Sequence, residues 1–154
     1  MQRIVVLGRG GAGKSTLACR LARELDLPLV ELDKVFWRDG LRPTPPAVWA
    51  GAQQELIERD RWIIDGDLGP YDTALDACLR AADMIIVLDF PLWLCAWRAL
   101  RRSRERWDFW RWVIRYRRDS LPELLAAIER CGGRPAVRQL RSPAALEQWA
   151  ASPH

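Results

Sequence analysis

Ile4-Val5-Val6-Leu7-Gly8-Arg9-Gly10-Gly11-Ala12-Gly13-Lys14-Ser15-Thr16-Leu17-Ala18 is the stretch that decides how this chain of 154 residues is read. Ile4 to Leu7 is an apolar run of the length of a short buried strand. After Thr16, the residues Leu17, Ala18, Leu21, Ala22 and Leu25 recur at helical spacing, with charge at Arg20, Arg23 and Glu24. Between strand and helix, Gly8 to Ser15 fits G-x-x-x-x-G-K-[ST] at every fixed position. Such a loop turns its backbone N–H groups toward one point, and Gly8, Gly10, Gly11 and Gly13, with the small Ala12, keep that point open. The helix N-terminus beneath adds unpaired donors and a partial positive charge. Lys14 supplies a mobile cation for the β- and γ-phosphates, Ser15 a hydroxyl for Mg²⁺, and Thr16 a hydroxyl toward the α-phosphate. Lys14 is one of two lysines in a chain otherwise rich in arginine.

Length predicts one compact domain, and 49% hydrophobic residues suffice for its core. The longest apolar run, Met84 to Leu88, is far too short to cross a bilayer. The strand begins within three residues of Met1, which leaves no room for a signal peptide. Cys19, Cys78, Cys95 and Cys131 form no C-x-x-C pair, and His154 is the single histidine. Disulfide and metal-cage readings are therefore poor, a reducing cytoplasm is expected, and a histidine-based triad is excluded. The net charge of +4, almost all from arginine, suits a solvated surface, anionic ligands or nucleic acid.

Leu29 to Asp33 reads as a second strand, with Asp33-Lys34-Val35-Phe36-Trp37 at its carboxyl end. Ligands of open α/β sheets sit beyond the carboxyl ends of strands. Asp33 is thus placed either to accept a proton from a substrate hydroxyl or to cap a turn. Phe36 and Trp37 wall a pocket or fill the core. Arg38 to Pro46 is a loop. A helix follows to about Arg59, with Val48, Leu56 and Ile57 inward. Trp62-Ile63-Ile64-Asp65-Gly66-Asp67 is a third strand with the turn leaving it. An acid closing an apolar strand is what Mg²⁺ needs opposite the loop serine, and Asp65 meets that need. Gly66 leaves room for a ligand, and Asp67 lies one step beyond. Tyr71 to Ala82 is a helix. Met84 to Leu88 is a central strand whose closing acid, Asp89, competes with Asp65. Asp65 is favoured because Phe90-Pro91 redirects the chain after Asp89.

A helix from Pro91 leads into Arg98, Arg101, Arg102, Arg104 and Arg106. Trp107 to Asp119 interleaves tryptophan with arginine, and helical spacing groups Trp107, Trp110 and Ile114 apart from Arg111, Arg115 and Arg118. Most of these arginines read as a solvated face, yet phosphoryl transfer needs mobile cations that close over the phosphates, and only this segment has enough. Leu121 to Cys131 is a helix, Pro135 to Leu140 the last strand, and Ala144 to Ala151 a closing helix with Leu146 and Trp149 inward.

This order of parts resembles the adenylate kinase-like P-loop kinases. Within them it is most similar to the small bacterial DNA topology modulation (FlaR-like) proteins, on Gly8–Thr16, Leu32–Trp37, Trp62–Asp67, Leu88–Trp97 and Leu140–Ser142. The resemblance implies a three-layer α/β fold with a five-stranded parallel sheet in the order 2-3-1-4-5. It implies ATP and Mg²⁺, held at Gly8, Gly10, Gly11, Ala12, Gly13, Lys14, Ser15, Thr16 and Asp65. Arg98, Arg101 and Arg102 match the arginines entering the lid, and Arg115, Arg117 and Arg118 those returning from it. Arg141 to Pro143 match the turn that borders the adenine. The stretch between Arg106 and Arg115 is too short for a full lid domain, so the expectation is one domain over residues 1–154 with a short lid-like segment at about 98–118.

The expected activity is phosphoryl transfer from ATP to a nucleotide or small-molecule acceptor. Lys14, Asp33, Arg98, Arg101 and Arg102 act on the reacting groups. Asp33, Trp37, Gly66, Asp67, Arg115 and Arg118 face the acceptor, Arg141 the nucleotide. The competing expectation is a nucleotide-dependent regulator that binds DNA or protein through Arg98 to Arg118. A GTP-using module lacks an Asn-Lys-x-Asp guanine reader.

Overall fold

The opening apolar run forms β1, Arg3–Gly8, in a computed structural model that describes residues 2–38, 42–66, 75–102, 107–133 and 135–151. Along the chain follow α1 (Lys14–Glu24), β2 (Leu29–Glu31), α2 (Leu32–Phe36), β3 (Trp37–Arg38), β4 (Arg42–Pro43), α3 (Pro46–Glu58) and β5 (Trp62–Asp65). Then come α4 (Leu75–Ala81), β6 (Met84–Leu88), α5 (Leu92–Arg102), α6 (Trp107–Arg115), α7 (Ser120–Glu129), β7 (Ala136–Leu140) and α8 (Pro143–Ala150). Five strands pair in parallel in the order β2-β5-β1-β6-β7, the expected 2-3-1-4-5, with helices on both faces. β3 and β4 make a separate two-residue hairpin where a plain loop was expected.

β1 is central, with β5 on one side and β6 on the other, so Ile4, Val5, Val6 and Leu7 are wholly buried. The period of two divides them. Val5 and Leu7 join one core with Leu32 and Phe36 of α2, Trp49 and Leu56 of α3, Cys78 and Leu79 of α4, Tyr116, and Leu121, Leu124, Ala127 and Ile128 of α7. Ile4 and Val6 join the other with Leu17, Ala18 and Leu21 of α1, Phe90, Cys95 of α5, and Leu146 and Trp149 of α8. A fully buried side chain of this size stabilises the fold by about 1.5–3 kcal/mol, so the two layers compete evenly for β1 and fix its register.

Local differences from the sequence reading follow from burial. β2 stops at Glu31, and Asp33 sits in the first turn of α2 rather than at a strand end. Leu32 and Phe36 are both buried, and the turn of α2 carries them, four residues apart, on one face. Phe36 meets Trp49 edge-on, with ring centroids 5.1 Å apart, and Thr44 donates to the Phe36 carbonyl from both its amide and its hydroxyl. In α3 the inward residues are Trp49, Gln53 and Leu56, while Val48 is exposed. In α6 and the turn after it, Val113 and Tyr116 are buried and Ile114 faces outward. The helix expected from Tyr71 is described from Leu75 onward.

A Cβ on Gly8, whose φ is +145°, would stand 2.5 Å from the Leu88 carbonyl oxygen. Gly8→Ala is therefore expected to cost about 1–3 kcal/mol and lower the melting temperature by several degrees. Gly51→Ala, on α3 with open space around it, is expected to stabilise by about 0.5–1 kcal/mol. Thermal unfolding of the two variants checks both signs.

Candidate functional site

The loop leaves β1 at Gly8 and enters α1 at Lys14. Gly13, at φ +97° and in the left-handed region, precedes the helix. Ala12 donates to the Arg9 carbonyl at 3.1 Å, and Leu17 closes the first helical turn on Gly13 at 3.0 Å. The first-turn amides of α1 have no carbonyl of their own helix to bond, and no acidic residue lies among them. Lys14 Nζ folds back to donate to the carbonyls of Gly8, at 2.8 Å, and Arg9, at 3.4 Å. The ammonium thus occupies the loop's carbonyls and leaves its amides to a ligand. This combination binds anions.

The acids gather at the carboxyl edge of the sheet. Asp65 ends β5 in register with Val6 of β1 and Glu31 of β2, and it is buried. Gly66 turns away at φ +100° and donates to the Val6 carbonyl at 2.9 Å. Asp33 lies beside them on α2. Burial is the leading cause that raises its pKa; Lys14 pulls it back down, and Asp65 and Glu31 raise it further. Water reaches Asp33 along the open cleft, so the residue is exposed, but protein around the carboxyl still thins its hydration. Lys14, Asp33 and Asp65 therefore share one electrostatic neighbourhood. Asp89 stands elsewhere: its two oxygens accept from Arg117 Nε at 3.0 Å and Nη2 at 3.2 Å, and Gln139 donates to it at 3.3 Å. This buried carboxylate ties the segment after α6 to the ends of β6 and β7.

Beside the loop lies a cavity of about 470 Å³, of the size small ligands use, lined by Gly11, Ala12, Gly13 and Thr16 together with Phe90, Trp97, Arg98, Arg101 and residues of α8. Arg98 donates to the Ala12 carbonyl at 3.3 Å and lies 5.9 Å from the Phe90 ring centroid. Arg101 stacks on Trp97 at 4.8 Å and remains exposed.

Of the sequence-derived candidates, the structure brings Gly8 to Thr16, Asp33, Asp65, Gly66, Arg98 and Arg101 to one edge of the sheet. Arg115, Arg118 and Arg141 are exposed. Trp37 begins β3 and Arg102 ends α5, but their side chains lie outside the described residues, as does all of Asp67. Sequence reasoning missed Arg9, which is buried beneath the loop, and Arg20, which lines the cavity. No local signal marks Arg9, whose position the loop motif leaves free.

No protein-family model matches the chain, and no curated sequence does. Solved structures do match in fold. The shikimate kinase of Acinetobacter baumannii, in complex with shikimate, is similar at a TM-score of 0.63 and 18% identity, over 96% of this chain and 88% of that one. A gluconokinase from Sinorhizobium meliloti is similar at 0.54 and 16%, over 97% and 93%. A sugar kinase from Janibacter is similar at 0.52 and 20%, over 97% and 92%. At such identities the likeness is one of fold, the three-layer α/β fold that these three proteins share with this chain.

The raised Asp33 carboxyl opposes folding once it must ionise. Below the usual value of 3.8 the folded and unfolded chains are both protonated and the cost is absent. It appears as pH rises through the interval above that value. Asp33→Asn is accordingly expected to melt higher than the parent protein at pH 7, with the gain vanishing below pH 3.8. Melting curves across this range check the sign.

Proposed function

We propose that the protein is an ATP- and Mg²⁺-dependent kinase that phosphorylates a hydroxyl of a nucleotide or small-molecule acceptor. The observation that carries this reading is the convergence of Lys14, Asp65 and Asp33 at the carboxyl edge of the sheet, where Lys14 and Asp65 both act on the Asp33 carboxyl. The neighbours named shikimate kinase, gluconokinase and sugar kinase support a small acceptor. Within such enzymes we place the chain nearest the topology modulation (FlaR-like) proteins, on Leu32–Trp37 and Trp62–Gly66, and in a reducing cytoplasm, which suits four free cysteines.

Each residue then has a task. The amides of Gly13 to Thr16 cradle the polyphosphate, and Lys14 turns from the loop carbonyls to the β- and γ-phosphates. Ser15 and the buried Asp65 offer the hydroxyl and carboxylate that suit Mg²⁺, an ion that keeps waters and phosphate oxygens for its remaining positions. Bound there, the ion withdraws charge from the phosphate oxygens. Asp33 takes the proton as the acceptor oxygen bonds to the γ-phosphorus and the bond to the bridging oxygen breaks. Arg98 and Arg101, with Arg102, Arg115 and Arg118, stabilise the negative charge that spreads over the transferring group. Trp37, Gly66 and Asp67 border the acceptor, and Arg141 borders the adenine.

One surface feature favours a second reading, that of a regulator binding DNA. Trp93 and Trp97 stand 72% and 52% exposed on α5, with Arg101 over the Trp97 ring, and aromatic rings among arginines stack on bases. A gel-shift series at rising salt distinguishes the readings. DNA binding with a steep salt slope supports the regulator, and none at low salt removes it. For the kinase, Lys14→Ala is expected to lose nucleotide binding or to lower turnover by about 100-fold or more. Calorimetry with ATP and an ADP-release assay measure this, and affinity and turnover both equal to the parent's would reject the assignment.

A further inference from the structure

Val5 and Leu7 of β1 belong to the core that includes Tyr116, and just past the strand a cation, Arg9, reaches the same Tyr116 ring. Arg9 is 1% exposed. Its Nε and Nη1 have no hydrogen-bond partner, and it forms no ion pair among the described residues. The face of its guanidinium lies over Tyr116, 5.6 Å from the ring centroid. A guanidinium does not shed its proton in a protein, so this burial cannot be relieved by neutralisation. The aromatic ring contacts one face of the group and leaves the N–H edge, where anions bind, unanswered. The acid ending β6 does not answer it either, because Asp89 gives its oxygens to Arg117 and Gln139. Buried charges are ordinarily paired, and Arg9 has no ion-pair partner among the described residues.

The place of Arg9 in the fold says which ligand brings that partner. The cavity beside the loop opens on the layer of Ala12, Leu17, Phe90 and Leu146, and Arg9 does not line it. Tyr116 belongs to the opposite layer, with Leu32 and Phe36 of the helix that carries Asp33. Arg9 therefore serves the side of the loop away from the nucleotide. We propose that Arg9 is the counter-charge for an oxyanion carried by the acceptor, a carboxylate or a phosphate, so that the acceptor of this enzyme is an anion. The word acceptor rests on the kinase reading above; the oxyanion site at Arg9 does not.

The test follows thermal unfolding of the whole protein, saturated with Mg²⁺ and a non-hydrolysable ATP analogue, as inorganic phosphate or succinate is added at constant ionic strength. One of the two is expected to raise the melting temperature further, and which one does so tells phosphate from carboxylate. Arg9→Met is expected to lose that increment while keeping the increment due to the analogue. Arg9→Lys keeps the charge without the fork, and its apparent oxyanion affinity is expected to fall by about 10-fold. Should the methionine variant fail to fold, the lysine variant alone decides. The proposal is overturned if neither oxyanion stabilises the parent protein, or if the folded variants respond as the parent does. Should the analogue give no shift while an Arg9-dependent response to oxyanion persists, the kinase reading fails and the site at Arg9 stands.

Discussion

The close approach of the loop backbone to β6 and α5 is the constraint on which this molecule is built. A Cβ on Gly11 would meet the Cys95 carbonyl oxygen at 2.3 Å, inside any tolerable contact, and Gly8 is pressed as closely on Leu88. The loop therefore lies flat on the layer of α5. Cations complete its orientation. Lys14 takes the carbonyls of Gly8 and Arg9, and Arg98 reaches from α5 to that of Ala12. With these acceptors engaged, the first-turn amides are the polar groups left to a ligand. Packing alone thus supplies an anion site before any ligand arrives.

The same strand divides the site in two. Alternate residues of β1 feed different cores, and each core backs a different side of the loop. The layer of α1, α5 and α8 builds the cavity that continues from the loop. The opposite layer builds the wall that carries Asp33, held in place because Phe36 packs on Trp49 and is clamped by Thr44. Asp89 joins the halves: it sits where β6 leaves the sheet and binds Arg117, which follows the arginine-rich helix. A charge-assisted pair of this kind sets geometry more than stability, since Arg117 stays half exposed.

How much of this was legible in the sequence depended on how local each cause was. The strand, loop and α1 were legible because glycine spacing and apolar period agree over one short stretch. The sheet order came through the resemblance, since no local pattern states which strands pair. Asp65 and Asp89 both close apolar strands, and in the sequence only the Phe90-Pro91 after Asp89 favoured Asp65. The difference is tertiary, and it is Arg117, 28 residues further on, that occupies Asp89. Val48 was placed inward on hydrophobicity, but Trp49 next to it took the core position. β2 was read too long because Leu32 suits a strand as well as a helix. The packing of Phe36 on Trp49 and its clamp by Thr44 are long-range contacts that no local pattern states, and they hold the turn that carries Asp33. Arg9 went unread because the loop motif leaves its position free.

If the kinase reading holds, the electrostatics around Asp33 would give substrate binding an order. Asp33 is raised chiefly by burial and held down by one neighbour, the ammonium of Lys14. A nucleotide with its Mg²⁺ still carries net negative charge, and in binding it draws Lys14 toward the phosphates. The one influence that lowers the Asp33 pKa is then spent on another partner, while the contributions of Asp65 and Glu31 remain. On the kinase reading proposed above, the carboxyl would become a stronger base once the phosphoryl donor is in place, and proton abstraction would be withheld until then. The signature is an upward move of the Asp33 titration, read from its carboxyl carbon resonance, when a non-hydrolysable analogue is added. A downward move would mean that the cation of the metal outweighs the loss of Lys14, and that Asp33 positions the acceptor hydroxyl without taking its proton.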